Sequence, residues 1–250
     1  MGVFKFKRFE VINERSAMKV NTDGVLLGAA MTIREGDRGL LDIGTGTGTI
    51  ALMAAQRVSG SKNAPGDNSK AIHIDAIDID EPSATEAAAN FQNSPWSASL
   101  HAHNMSLDDF AQSLPSDRSY DLIFSNPPYF EDSLTAPDER KSTARHTSEG
   151  LSYRDIFEFS KDRLAENGRV ALVLPADQEA ALCRYARMCG LHLFRILRVR
   201  TVPRKAPVRM IVEFSRQRCE SVAEDLLTIQ KEGQYTEEYL SLTHDFYLFA

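Results

Sequence analysis

Short apolar runs alternate along the chain with amphipathic stretches, and this pattern sets the predicted elements. The runs are of strand length, whereas the longer stretches show helical spacing and helix end signals. The predicted strands span residues 39–43, 71–79, 99–105, 120–125, 169–174, 191–202 and 208–214. The predicted helices span residues 49–58, 81–90, 153–164 and 177–189. This alternation predicts an α/β fold in which helices cover both faces of a seven-stranded, mostly parallel sheet.

The two ends of the chain carry apolar patterns of their own. Residues 4–12 alternate with period two and predict a strand or hairpin, and the aromatic tail at 234–250 is interpreted as docked core. The polar segment 59–70 is interpreted as a surface loop, because it lies between a predicted helix and the next strand. We therefore predict one domain over residues 1–250.

Composition and charge narrow the class of protein. The 250 residues are 42% hydrophobic and 26% charged, which excludes a disordered or low-complexity chain. No segment has the length of a membrane span or the apolar core of a secretory signal. Cys183, Cys189 and Cys219 lack C-x-x-C spacing and are interpreted as reduced thiols, which favours the cytoplasm and indicates no metal site. The net charge of −6 argues weakly against a nucleic-acid partner.

The first motif that points to a ligand is a glycine-rich turn between the first predicted strand and helix. Gly44, Gly46 and Gly48 let the backbone approach a ligand, and the helix N-terminus offers unpaired N–H groups. Asp42 precedes the turn, and a carboxylate there suits a cationic amino group better than a pyrophosphate. Residues 46–51 nevertheless satisfy the G-x-G-x-x-A form of a dinucleotide fingerprint, so a nicotinamide-dependent oxidoreductase stays open.

Polar residues end the next two predicted strands. Asp78 can accept both hydroxyls of a ribose, and Asn104 can meet an adenine amino group. Asp80 and Glu81 compete with Asp78, but they are better interpreted as residues that begin a helix. Because the carboxyl ends of parallel strands share one edge, these side chains are expected beside the glycine-rich turn.

The sharpest motif is Asn126-Pro127-Pro128-Tyr129, directly after the fourth predicted strand. The Asn126 side-chain oxygen and the Pro127 carbonyl can accept both N–H bonds of an exocyclic amine. Such contacts favour the nucleophilic nitrogen and stabilise the positive charge that develops when it is alkylated. Pro128 and Tyr129 provide a wall on which a flat base can stack. The motif therefore predicts catalysis on a planar nitrogen.

Together these elements resemble the class I S-adenosylmethionine-dependent methyltransferases with an (N/D)PPY loop, over roughly residues 15–215. Within that group the chain is most similar to the bacterial enzymes that methylate N6 of the adenine beside the anticodon of a valine tRNA. The similarity extends to three stretches outside the catalytic motifs, at residues 17–28, 93–96 and 242–249.

The resemblance implies a Rossmann-like fold, S-adenosylmethionine as cofactor and the anticodon loop of a tRNA as partner, with no membrane and no obligate protein partner. It implies that residues 1–35 close over the cofactor and that residues 36–250 form the core and tail. The implied cofactor contacts are Lys19, Thr22, Asp23, Asp42, Gly44, Gly46, Gly48, Asp78, Ile79, Asn104 and Met105. The family commonly has Asp where Asn104 stands, and segment 59–70 is longer than usual.

A basic segment supports the RNA partner. Residues 184–218 contain ten basic residues and one acidic residue, a local charge of +9 within a chain of −6. Phosphate binding needs such clustering, and Arg204 and Lys205, in a proline-flanked loop, are the best candidates. The alternative is that these side chains are solvated faces of strands and helices. A ribosomal RNA base, a protein glutamine and a noncatalytic RNA-binding role also stay open.

Overall fold

The computed structural model describes residues 2–60, 71–128 and 150–250. The helices are α1 (Thr22–Ala30), α2 (Thr49–Ser59), α3 (Glu81–Gln92), α4 (Leu107–Ser113), α5 (Tyr153–Arg163), α6 (Glu179–Met188) and α7 (Glu237–Thr243). The strands are β1 (Val3–Lys5), β2 (Glu10–Ile12), β3 (Gly39–Ile43), β4 (His73–Asp78), β5 (Leu100–Asn104), β6 (Tyr120–Ser125), β7 (Leu164–Pro175), β8 (His192–Arg200), β9 (Arg209–Ser215), β10 (Ala223–Thr228), β11 (Gln230–Lys231) and β12 (Gln234–Tyr235). Single 3₁₀ turns cover Ser97–Ser99 and Ala176–Gln178.

The central sheet has the strand order β10-β8-β9-β7-β6-β3-β4-β5. Only β9 runs antiparallel to its neighbours β7 and β8, so the predicted mostly parallel sheet is confirmed. The predicted number of seven strands is wrong by one, because β10 extends the sheet through parallel pairing with β8. In β10 only Leu227 is buried. An edge strand that exposes most of its side chains lacks the apolar pattern by which strands are predicted.

Helices cover both faces of the sheet, as predicted. Neighbouring residues of one strand enter opposite cores: Leu40 packs into one and Leu41 into the other. This division follows from the period-two geometry of a strand. The first core receives apolar side chains of α1, α2, α3 and α7, and the second receives those of α4, α5 and α6.

The chain termini pack into the first core. The predicted hairpin is confirmed as β1 and β2, and Phe6 forms an isolated bridge with Tyr247 of the tail. Phe246 and Tyr247 are buried, as expected of a docked tail. The prediction is wrong for Tyr235 and Phe249, which stack on each other but stay 41% and 56% exposed.

The topology defines the edge at which ligands are expected. β3, β4, β5 and β6 are mutually parallel, so their carboxyl ends meet at one edge. β9 begins there too, because Arg209 pairs with Pro175 at the end of β7. The β8–β9 loop, residues 201–208, therefore lies at the same edge. No helix in the described ranges is long and apolar enough to cross a membrane.

Candidate active site

The glycine-rich turn needs its glycines for conformational reasons. Gly44, Gly46 and Gly48 have φ of 70°, 56° and 80°, in the left-handed region that residues with a Cβ rarely adopt. A Cβ on Gly48 would lie 2.4 Å from the Phe91 ring of α3. The turn is also bonded to β4, because the Gly44 and Thr45 N–H groups both donate to the Ile77 carbonyl at 2.9 Å.

Asp42 is completely buried beneath this turn. Its Oδ2 accepts the Thr45 hydroxyl at 2.7 Å, whereas its Oδ1 has no hydrogen-bond partner within the described residues. Burial raises the pKa of Asp42 to about 7, although the Thr45 hydroxyl and the Ala51 backbone N–H oppose that shift. A buried acceptor of this kind fits a ligand that brings a positively charged donor.

Asp78 is held at the carboxyl end of β4 by backbone donors. Its Oδ2 accepts the Gly46 N–H at 2.8 Å, and its Oδ1 accepts the Asp80 N–H at 2.9 Å. Burial raises its pKa, and the two N–H groups oppose the shift. Each oxygen retains a second lone pair for ligand hydroxyls. Asp80 caps α3 by accepting the Ser83 N–H at 3.0 Å, which confirms the interpretation of Asp80 as a helix-capping residue.

The end of β5 lies beside Asp78. The Asn104 Nδ2 donates to the Asp78 and Ile79 carbonyls, each at 3.1 Å, which leaves the exposed carboxamide oxygen as the acceptor. The Met105 N–H also donates to the Asp78 carbonyl, at 3.1 Å. Ile79 is 75% exposed, an apolar surface next to these polar groups. The structure thus brings together the predicted residues at the ends of β4 and β5.

Asn126 lies where β6 ends, at the same edge. Ser125 ties this position to β3 through a 2.6 Å hydrogen bond from its hydroxyl to the Ile43 carbonyl. The Asn126 side chain is 7% exposed, and its Nδ2 donates to the Met18 sulfur at 3.4 Å. Pro127 is buried and Pro128 is exposed. The predicted stacking residue, Tyr129, lies outside the described residues.

The three cofactor contacts predicted in the N-terminal segment, residues 1–35, have different surroundings. Asp23 forms an ion pair with Arg209, in which Asp23 Oδ2 lies 2.8 Å from Arg209 Nε. Lys19 and Thr22 are exposed, and the Lys19 ammonium donates to the Glu14 carbonyl. Ser16 and Met18, which were not predicted as cofactor contacts, lie against the glycine-rich turn at Gly46.

Half of the ten basic residues at 184–218 are bonded to other groups of the protein. Five arginines bind groups of the protein itself, namely Arg195 (Glu213), Arg198 (Glu179 and Glu224), Arg200 (Thr228 and Pro203), Arg209 (Asp23) and Arg216 (backbone carbonyls at the end of α5). Arg204 and Lys205 are exposed in the β8–β9 loop, at the edge that carries Asn126. Half of the segment is therefore neither a free phosphate-binding surface nor the solvated face of the alternative, because those arginines bond the protein itself.

His103 is part of a polar network on the second face of the sheet. Its Nε2 bonds Asp75 Oδ1 at 2.8 Å, and Asp75 also accepts the Tyr120 hydroxyl at 2.8 Å. His73 bonds the same Asp75 oxygen at 3.0 Å. Burial alone would raise the pKa of Asp75, but these contacts outweigh burial and hold that pKa well below its usual range. Within the described ranges no cluster of His, Cys, Asp and Glu is arranged to hold a metal ion.

Comparison with known proteins gives the class. A family model described as the methyltransferase small domain matches residues 16–183. A solved structure of a predicted O-methyltransferase from Agrobacterium tumefaciens superposes with a TM-score of 0.62 at 17% identity, and the match covers 90% of this chain and 96% of that one. That likeness shows the fold. The fold and the family model together define a class I S-adenosylmethionine-dependent methyltransferase.

Relatives over nearly the whole length give the family. A tRNA1(Val) (adenine(37)-N6)-methyltransferase from Flavobacterium psychrophilum is 39% identical over 98% of this chain and 99% of its own. The protein of that name from Yersinia pseudotuberculosis is 37% identical over 99% of this chain and 92% of its own. The chain belongs to the tRNA1(Val) (adenine(37)-N6)-methyltransferase family. Membership excludes the oxidoreductase and noncatalytic alternatives.

The residues present fit S-adenosylmethionine. Its methionine part carries a cationic amino group, which matches the buried Oδ1 of Asp42, an atom with no hydrogen-bond partner in the part of the chain that the structure describes. A dinucleotide would instead place a negatively charged pyrophosphate at this turn, beside the carboxyl groups of Asp42 and Asp78. The carboxylate acceptors of Asp42 and Asp78 therefore favour the cationic cofactor.

Proposed function

We propose that the protein transfers a methyl group from S-adenosylmethionine to N6 of adenine 37 in the anticodon loop of a tRNA. The observation that carries the proposal is the position of Asn126. Its buried carboxamide lies at the carboxyl end of β6, and Met18 of the N-terminal segment connects it to the glycine-rich turn. The names of the relatives supply the substrate that this proposal adopts.

The proposed chemistry uses acceptors on the protein. The bound cofactor supplies an electrophilic methyl group. Asn126 Oδ1 and the Pro127 carbonyl accept the two N–H bonds of the adenine amine, which localises its lone pair toward that methyl group. They also stabilise the positive charge that develops on nitrogen. The proton leaves after transfer, so no strong general base is needed. Pro128 and Tyr129 are proposed to flank the base.

The cofactor roles follow the chemistry of each group. Asp42 is proposed to hold the amino group, Asp78 the ribose hydroxyls and Asn104 the adenine amine. Ile79 and Met105 are proposed to contact the flat face of the adenine ring. Gly44, Gly46 and Gly48 allow the close approach. Lys19, Thr22 and Asp23 are proposed to close the N-terminal side of the cofactor site.

Arg204 and Lys205 are proposed to bind RNA phosphates. Both are exposed at the edge where Asn126 lies, so the target base and the flanking phosphates can be bound from one side. A base in an anticodon loop is unpaired, and presenting it costs less than flipping a base out of a duplex. This substrate is consistent with action in the cytoplasm. The shared packing of both termini in the first core supports one domain over residues 1–250.

The test is methylation of defined RNAs by the purified protein. We expect a tRNA1(Val) transcript to acquire N6-methyladenosine at position 37, and a transcript with guanine at that position to acquire none. The same asparagine and prolines could serve a ribosomal RNA base or a protein glutamine. Methylation of ribosomal RNA or of a glutamine peptide, with the tRNA unmodified, would contradict the proposed substrate while leaving the chemistry in place.

A further inference from the structure

A buried carboxylate of α3 holds the N-terminal segment. Glu86 is 2% exposed and accepts three successive backbone N–H groups. Its Oε2 accepts those of Glu14 at 2.8 Å and Arg15 at 2.7 Å, and its Oε1 accepts that of Ser16 at 3.1 Å. Successive N–H groups that converge on one anion form a nest. Because an unpaired buried charge is very costly, this contact specifies where residues 14–16 lie.

A second α3 side chain, one turn later, joins the same segment to the glycine-rich turn. Asn90 exchanges two hydrogen bonds with the backbone of Ile12: its Oδ1 accepts the N–H at 2.7 Å and its Nδ2 donates to the carbonyl at 3.0 Å. The Nδ2 also donates to the Thr47 carbonyl at 2.9 Å. Helix α3 therefore fixes the N-terminal segment and the glycine-rich turn relative to each other.

From Ser16 the contacts continue to the candidate catalytic residue. The Ser16 hydroxyl donates to the Met18 carbonyl at 3.0 Å, and the Met18 sulfur accepts the Asn126 Nδ2. A Cβ placed on Gly46 would lie 3.4 Å from the Ser16 Oγ and 3.6 Å from the Met18 carbonyl oxygen. The segment thus lies against the turn, and the Met18 sulfur faces the Nδ2 end of the Asn126 carboxamide.

We propose that Glu86 and Met18 are positioning residues for methyl transfer. Glu86 holds Ser16, Ser16 holds the Met18 backbone, and Met18 orients the Asn126 carboxamide so that its oxygen is presented to the substrate amine. Glu86 acts on the cofactor site as well, because the segment it holds lies against Gly46. The inference rests on the proposed role of Asn126 and adds to it the side chains that set its orientation.

Two variants separate the role of Glu86 from that of Met18. Glu86→Gln keeps the shape but turns an amide NH₂ toward backbone N–H groups. We expect roughly tenfold weaker S-adenosylmethionine binding, a similar fall in kcat, and faster hydrogen exchange at residues 14–16 of the ligand-free protein. Met18→Leu removes only the sulfur acceptor. We expect about a threefold to tenfold lower kcat, with cofactor binding within twofold of wild type, because a sulfur contact is weak.

Three controls make the result decisive. Glu166→Gln makes the same change at an exposed position and should leave every measurement unchanged. Ser16→Ala keeps the carboxylate and replaces Glu86→Gln if that variant does not fold; it should lower kcat. Asn126→Ala in the same assay tests the proposed function separately, because full activity of that variant contradicts the role of Asn126 itself.

Either of two results would contradict the proposed positioning roles. One is a Glu86→Gln protein with a lower melting temperature but unchanged cofactor binding and kcat, which assigns Glu86 to folding alone. The other is wild-type kcat in Met18→Leu while Asn126→Ala is inactive, which leaves the catalytic role of Asn126 intact and removes Met18 from it.

Discussion

The glycine-rich turn and the basic segment at 184–218 differ in how their residues are used. Every glycine of the turn adopts the conformation that the motif requires, and the polar residues predicted around it meet at one edge of the sheet. In the basic segment, half of the cationic side chains bind protein groups, and Arg204 and Lys205 remain exposed at that edge. A glycine pattern encodes a local backbone shape, whereas a cluster of arginines encodes no geometry.

The difference arises from the range of the interactions. A left-handed turn is decided by the residues of the turn, so that the sequence and the structure agree. The partner of an arginine is decided by the tertiary fold, as with Arg209 and Asp23, which lie 186 positions apart in the chain. Charge counted along a sequence therefore overstates the surface available to a phosphate backbone.

The largest expected effect is at the site itself. Asn126→Ala removes the side-chain acceptor for the substrate amine, and kcat should fall by about 10³-fold, as for the loss of a transition-state hydrogen bond in other enzymes. Cofactor binding, measured by calorimetry, should stay within threefold. Asn93→Ala, an exposed asparagine at the end of α3, is the matched control. Retained turnover in Asn126→Ala would contradict the proposed role of the Asn126 side chain as an acceptor for the substrate amine.

The next effect tests the turn against a glycine elsewhere. Gly48→Ala combines positive φ with a Cβ 2.4 Å from Phe91, whereas Gly190→Ala has φ of 74° and open space around its Cβ. We expect Gly190→Ala to lose about 1–2 kcal/mol of unfolding free energy, from backbone strain alone. Gly48→Ala should lose at least about 3 kcal/mol, because the added methyl group overpacks the core. Urea unfolding measures both, and equal losses would contradict the packing role.

The basic segment can be divided by experiment. Arg204→Ala/Lys205→Ala should weaken tRNA binding about tenfold and reduce its salt dependence by about two ions, with stability unchanged. Arg216→Ala should instead lose about 1–3 kcal/mol of stability, because its guanidinium bonds the Ser160, Lys161 and Leu164 carbonyls at the end of α5. Filter binding at several salt concentrations and urea unfolding check the two results. Equal effects on RNA binding would contradict the division.

The last effect concerns the protonation of Asp42 beneath the turn. The raised pKa of Asp42, about 7, means that the folded protein holds this proton more tightly than the unfolded chain does. Its contribution to stability therefore falls as pH rises from about 4 to about 7, by at most about 1.4 kcal/mol per pH unit. Asp42→Asn should flatten this slope in urea unfolding of the ligand-free protein.

The same group makes a prediction for the cofactor. A cationic amino group favours the Asp42 carboxylate, so binding should strengthen as pH rises toward 7, and calorimetry should find this dependence lost in Asp42→Asn. An identical pH dependence in the variant would contradict the assignment of Asp42 to the amino group.

Much of the fold could be predicted, because the spacing of apolar residues indicates most of its strands and helices. Helix α1 could not, since Val25 to Ala30 are buried on all sides and show no amphipathic face. The glycine-rich turn, Asp78 and Asn126 could be predicted from motifs. Glu86 could not, because its three partners are backbone groups some 70 positions earlier, and a carboxylate in a helix is usually a solvated one.

One measurement tests most directly whether the edge containing Asn126 methylates adenine 37 of a tRNA. Nucleosides of purified tRNA1(Val) from a strain deleted for this gene are analysed by mass spectrometry, after complementation with wild type or with Asn126→Ala. We predict N6-methyladenosine at position 37 with the wild type and its absence with the variant and in the deletion strain. Unchanged N6-methyladenosine in the deletion strain, or its restoration by Asn126→Ala, would contradict the account.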